Sequence, residues 1–195
     1  MSTAEILLLG DLILDVPEPD HWLAGIAPLT RAADLTIGHL EVPYTTSAEE
    51  RPGDVPAPGA NPAHLDALAR AGIGAVSMAG NHMMDCGVPG LVETLAGLAR
   101  NGIAHAGAGL TLAAARAPAL IDCKGRTVAL LSYNCVGPEL CWAGEAEPGC
   151  AYVRVAASDG GPSRPQAELT EIDPASQAAM EADIRAARRH ADLVV

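Results

Sequence analysis

The chain has no phenylalanine among its 195 residues, and aromatic side chains make up only 3% of it. Aliphatic groups must therefore fill the interior, and a hydrophobic content of 49% supplies enough of them for one sizeable core. Lysine is almost missing as well, since Lys124 is the only one among twelve basic residues. The formal net charge is -12, so the basic footprint of a nucleic-acid binder is absent. The same balance disfavours an anionic membrane surface. No apolar run approaches a membrane span, and the first residues, Met1-Ser2-Thr3-Ala4-Glu5, lack the basic segment of a secretion signal. These absences lead to an expected cytoplasmic location with neither nucleic acid nor membrane as partner. The five cysteines form no C-x-x-C pair, and the Cys135-x5-Cys141 spacing with Cys150 is not diagnostic of a soft metal. Free thiols are expected, with Cys86 the one beside the candidate site described next.

What is present is organised around residues 75–87, Ala75-Val76-Ser77-Met78-Ala79-Gly80-Asn81-His82-Met83-Met84-Asp85-Cys86-Gly87. The apolar run 73–79 reads as a buried strand bounded by glycines, and Leu91, Leu95 and Leu98 begin a helical period behind it. Gly80 lets the chain turn sharply, which leaves Asn81 and His82 at the strand's C-terminal edge. In open α/β sheets, that edge is where ligands bind. Two earlier runs end the same way. Residues 5–10 lead into Asp11, and the strand 34–38 delivers His39 and Glu41.

Between these runs the spacing predicts a helix over 21–33, with Asp20 as its N-cap. A second helix is signalled by Asn61-Pro62 and closed by Ala71-Gly72. Pro43, Pro52, Pro56 and Pro58 mark an irregular loop. A helix over 91–100 and a short strand over 103–106 complete a strand–helix alternation, which implies a mainly parallel sheet. The pattern then changes to a hairpin around Lys124-Gly125-Arg126. The aperiodic stretch 134–172, rich in glycine and proline, is expected to be a mobile or substrate-facing excursion. A last helix opens at Pro174 and runs to about residue 190, and a final apolar strand covers 191–195.

Carboxylate, imidazole and amide groups on three successive strand ends suit a divalent cation such as Zn, Mn, Fe or Ni, or a harder ion such as Ca if oxygens dominate. These motifs are Gly10-Asp11, Gly38-His39-Leu40-Glu41-Val42-Pro43 and Gly80-Asn81-His82-x-x-Asp85-x-Gly87. Together they resemble the CapA-like, poly-γ-glutamate capsule-synthesis family of the calcineurin-like metallophosphatase superfamily. Further matches at Gly102-Ile103, Gly107-Ala108-Gly109 and Ala114-Ala115-Arg116-x-Pro118 extend the resemblance over most of residues 6–133.

The resemblance implies a four-layer α/β/β/α sandwich with a dinuclear site in which Asp11, Glu41, Asn81 and His82 are metal ligands. Three departures stand out. Ile13 occupies the place of the phosphatase pattern's histidine, and His39 that of the family's asparagine. The later His-x-Gly and Gly-His-x-His motifs are not found. Residues 1–195 are accordingly expected to be the first portion of a single domain whose remainder, a partner to this part, follows residue 195. The superfamily's default chemistry is phosphoester hydrolysis, and CapA-like proteins proper are linked to an anionic capsule polymer. Some similar proteins epimerise a residue of lasso-peptide precursors. The added imidazole and the absent export signal favour that last reading: a metal-dependent peptide epimerase with His39 and Asp85 as acid/base groups. A phosphoesterase or capsule protein is the alternative, and a non-catalytic binding module a further one.

Overall fold

The computed structural model describes residues 3–51, 59–159 and 168–195. Its centre is a parallel sheet of four strands in sequential order: β1 (Ile6–Asp11), β2 (Leu35–His39), β3 (Ala75–Ser77) and β4 (Ala104–Ala106). The α/β class expected from the alternation of elements is the class observed.

The period of two along these strands decides what each face touches. Leu35, Ile37, Ala75 and Ala106 turn toward a second sheet and pack on Cys123, Val128 and Leu130. Val76 turns the other way, and with Met78 it joins Leu65, Leu68, Leu91 and Leu98 of the helices. The second sheet has the order β11-β7-β6. Its hairpin joins β6 (Ala119–Cys123) to β7 (Arg126–Leu130) through Lys124 and Gly125, both at positive φ, and β11 (Leu193–Val194) pairs parallel to β7. One sheet thus lies between a helical layer and a second sheet, and the aliphatic composition fills both interfaces.

Several helix boundaries differ from the expected ones. The helix expected over 21–33 is two short ones, α1 (Pro19–Leu23) and α2 (Ala27–Ala32). Gly25 falls between them. Pro28 cannot donate a backbone hydrogen bond, so it is accommodated only in the first turn of a new helix. Asp20 is not the cap. Glu18, at φ 58°, holds that place, and Asp20 lies inside α1 with its carboxylate 2.7 Å from the Arg70 guanidinium.

Asn61 does cap as expected, accepting from the Ala63 amide at 3.0 Å; the turn it opens is 3₁₀ before α3 (Leu65–Arg70). α4 (Gly87–Arg100) begins four residues earlier than its leucine period indicated, because Gly87 adopts φ 66° and sets its first turn. α5 spans Leu112–Arg116 and α6 spans Pro174–Ala187, the latter capped by Asp173, which accepts from the Ser176 amide at 2.8 Å.

Of the expected mobile or substrate-facing excursion over 134–172, the mobile reading is corrected for most of the described part. Cys141, Cys150 and Ala151 are fully buried and Ala143 and Val153 nearly so. The reason is local pairing: β5 (Ala108–Gly109) binds β8 (Gly149–Cys150), and Trp142 stacks on Tyr152 with centroids 4.2 Å apart. β9 (Val155–Ala157) and β10 (Leu169–Ile172) then form an antiparallel pair. Residues 160–167 and the loop prolines Pro52, Pro56 and Pro58 lie outside the described residues.

Candidate metal centre

Parallel strands place their C-terminal ends on one edge, and the register here is close. Asp11, the last residue of β1, pairs with His39, the last of β2; His39 pairs in turn with Ser77, the last of β3. Leu40 is fully buried, and its amide donates to the Ser77 carbonyl at 2.8 Å. With Leu40 fixed inward, the residues on either side of it turn toward the sheet edge. Donor atoms of Asp11, His39 and Glu41 all lie within 4.8 Å of one another.

The loop after β3 brings the fourth group. Ala79 is tied through its amide to the Ser132 hydroxyl at 3.1 Å, and the fully buried Met83 and Met84 anchor the far side. Between these anchors Gly80 passes so close to the site that a Cβ there would stand 3.1 Å from His39 Nε2. His82 Nε2 comes within 3.9 Å of one Glu41 oxygen, while the other Glu41 oxygen is 3.0 Å from His39 Nε2. Glu41 is therefore flanked by two imidazoles.

Behind His82, its Nδ1 is 2.8 Å from a carboxylate oxygen of Asp85, a residue only 5% exposed. Asp85, expected as an acid/base group, thus faces an imidazole from within the core. Asp11 is the exposed member of the group, while His39 and Glu41 are half-buried.

Asn81 is held from outside by residues that sequence reasoning missed. Cys141 Sγ donates to the Asn81 carbonyl at 3.1 Å, and Cys150 Sγ to the Gly80 carbonyl at 3.5 Å. Burial pushes the Cys150 thiol up to about 12, which keeps it protonated and a donor. Gly137, at φ 81°, lies against Asn81, where a Cβ would come within 2.5 Å of the Asn81 Cβ. Nothing in the local sequence connects these residues to a site more than fifty positions earlier. Ser77 was also missed, although its place at a strand end beside His39 was a usable signal.

Cys86 is buried and its thiol is raised by desolvation; it backs onto Gly59 and Gly90. Ile13 is 46% exposed next to Asp11, because Leu12 and Leu14 take the inward positions on either side of it. The buried Tyr44 hydroxyl fixes that alternation, accepting from the Leu14 amide at 3.1 Å and donating to the Leu12 carbonyl at 3.3 Å.

Two carboxylates and an imidazole nitrogen on one edge, with a second imidazole beside Glu41 and a glycine leaving room around His39 Nε2, fit a divalent cation. Over residues 5–195 the chain matches the family described as "Bacterial capsule synthesis protein PGA_cap". It belongs to that family. The match includes residues 134–195, where the sequence motifs alone offered no resemblance. No curated protein matches the chain. Among the described residues, Asp11, His39 and Glu41 are the side chains grouped closely enough to hold a metal ion together, and His82 stands beside them across Glu41. The described residues contain no helix long and apolar enough to cross a membrane.

Proposed function

We propose that this CapA-like chain is a metal-dependent acid–base enzyme that inverts a Cα centre of a peptide substrate. The observation that carries the reading is the His82–Asp85 pair beside Glu41. Asp11 and Glu41, with the Asn81 amide, would hold a divalent ion, which would supply Lewis acidity toward the carbonyl next to the reacting carbon. Mn, Zn, Fe and Ca are all compatible with this role, and the family resemblance favours a second ion nearby.

The chain's own residues do the rest. Asp85 holds a proton on His82 Nδ1 and leaves Nε2 as the acceptor facing the site. His82 takes the Cα proton through Nε2, and the buried carboxylate stabilises the imidazolium that results. A solvent-derived proton returned to the opposite face completes the inversion. Asp85 then acts through His82 and is a positioning residue. Ile13, an exposed aliphatic group where the phosphatase pattern carries histidine, offers a peptide side chain an apolar surface beside Asp11. A biosynthetic peptide substrate places the reaction inside the cell.

The family match favours a second reading, in which the same centre acts on a phosphoester or on an anionic capsule polymer. One experiment separates the two. The protein is incubated in deuterated water with Mn²⁺ and, in parallel, with the candidate precursor peptide encoded by neighbouring genes, with p-nitrophenyl phosphate and with poly-γ-glutamate. The proposal predicts one deuterium gained at a single inverted Cα of the peptide, lost on chelation. Turnover of the phosphoester or cleavage of the polymer, with no Cα exchange, replaces it by the second reading.

A further inference from the structure

We infer that His39 is itself a metal ligand through Nε2, that Ser77 holds it in that role, and that this imidazole makes the site select borderline transition-metal ions over Ca²⁺ and Mg²⁺. The inference rests on the metal-centre reading and adds to it both a ligand and a selectivity.

The argument begins with the proton on the ring. His39 Nδ1 lies 2.9 Å from Ser77 Oγ. The Ser77 hydroxyl has one proton, and the Gly38 carbonyl stands 3.5 Å from Oγ to receive it. The tautomer that ligation requires has Oγ accepting from Nδ1–H, which leaves the lone pair on Nε2. That lone pair points at Glu41, with a carboxylate oxygen 3.0 Å away and Asp11 within the same 4.8 Å cluster. Electron-pair donors converging on one another repel unless a cation lies among them.

Space is reserved for that cation. Gly80 is the residue whose Cβ would come to 3.1 Å from Nε2, so the absence of a side chain keeps the region around that nitrogen open. Both nitrogens of His39 are accounted for in this arrangement, so it is not a free acid/base group. A hard ion such as Ca²⁺ or Mg²⁺ takes oxygen ligands, whereas imidazole suits Zn²⁺, Co²⁺, Fe²⁺ and Ni²⁺. An imidazole where the family resemblance has an amide therefore moves the preference of the centre toward the second group. Second partners that fix a ligating imidazole normally account for about 10–100-fold in metal affinity.

The test uses the whole chain, stripped of metal by chelation and titrated with Co²⁺ by visible absorption and with Ca²⁺ by calorimetry. Circular dichroism confirms that each variant is folded. Wild type is expected to bind Co²⁺ at least about 10-fold more tightly than Ca²⁺. His39→Asn should weaken Co²⁺ binding by about 10–100-fold and leave Ca²⁺ binding within about 3-fold, erasing the preference. Ser77→Ala should weaken Co²⁺ binding by about 10-fold and shift the visible bands of bound Co²⁺, and Ser77→Thr should restore both. If His39 merely forms an ion pair with Glu41, His39→Asn will bind Co²⁺ as wild type does; that overturns the inference while the metal centre stands. A wild-type chain that binds neither ion overturns the metal centre and the inference together.

Discussion

His82 Nδ1 and the Asp85 carboxylate are 2.8 Å apart, and the carboxylate belongs to a residue buried in the core. The Asp85 carboxylate therefore bears directly on the ring. Asp85→Asn keeps the shape but can present an N–H to Nδ1, which reverses the tautomer and removes the lone pair from Nε2. The expected loss of Cα exchange is on the order of 10²–10⁴-fold. Co²⁺ affinity, carried by Asp11, His39 and Glu41, should change far less. The check is exchange rate and metal titration on the same preparation; equal losses in both would make His82 a ligand first and a base second.

Gly137 sets the position of Asn81 from the outside. Gly137→Ala must adopt φ near 81° and place a methyl where only 2.5 Å separates it from the Asn81 Cβ. Strain of this kind costs about 1–3 kcal/mol. Thermal unfolding should show a lower Tm, and bound metal should protect the variant less than the wild type. An unchanged Tm would mean that the 134–141 segment does not bear on the site.

His105 provides a pH dependence that lies away from the metal centre. It is half-buried in β4, its Nδ1 is enclosed without a hydrogen-bond partner among the described residues, and burial lowers its pKa below the ordinary 6.5. The unfolded chain then binds a proton more readily than the folded one, so stability rises with pH across this window. The contribution is complete above about 6.5 and is lost as pH falls through the lower folded value. His105→Leu should flatten the slope in urea midpoints measured between pH 7.5 and 5. A slope that persists unchanged would assign it to other groups.

The cysteines should divide sharply by reactivity. Cys135 is exposed, whereas Cys86, Cys123, Cys141 and Cys150 are buried, and burial raises the thiols of Cys86 and Cys150. A colorimetric thiol titration should therefore show one fast thiol in the native chain and all five after denaturation. Two or more fast thiols would show that the segment carrying Cys141 and Cys150 opens readily.

Much of this architecture was legible because strands and glycines announce themselves locally. Asp11, His39 and Asn81-His82 each follow an apolar run. Parallel strands joined by helices must bring those ends to a common edge, so the sequence order of the motifs already implied their meeting. What was not legible depended on contacts between distant segments. Nothing near Cys141 indicates that its thiol will meet the Asn81 carbonyl, and the irregular spacing of 134–159 reads as looseness although short pairings bury it. The single helix read over 21–33 failed for a local reason, the weight of Gly25 and Pro28 against a favourable apolar period. His39 and Asp85 were both recognisable as chemical groups, but their partners, Ser77 and His82, are what define their roles.

The central claim is that one divalent ion sits among Asp11, His39 and Glu41, and anomalous diffraction tests it most directly. Crystals of the protein grown with Zn²⁺ should give a strong anomalous peak at the C-terminal edge of the parallel sheet, about 2.0–2.2 Å from His39 Nε2 and from oxygens of Asp11 and Glu41. A peak bound elsewhere, or none there at saturating Zn²⁺, would contradict the account.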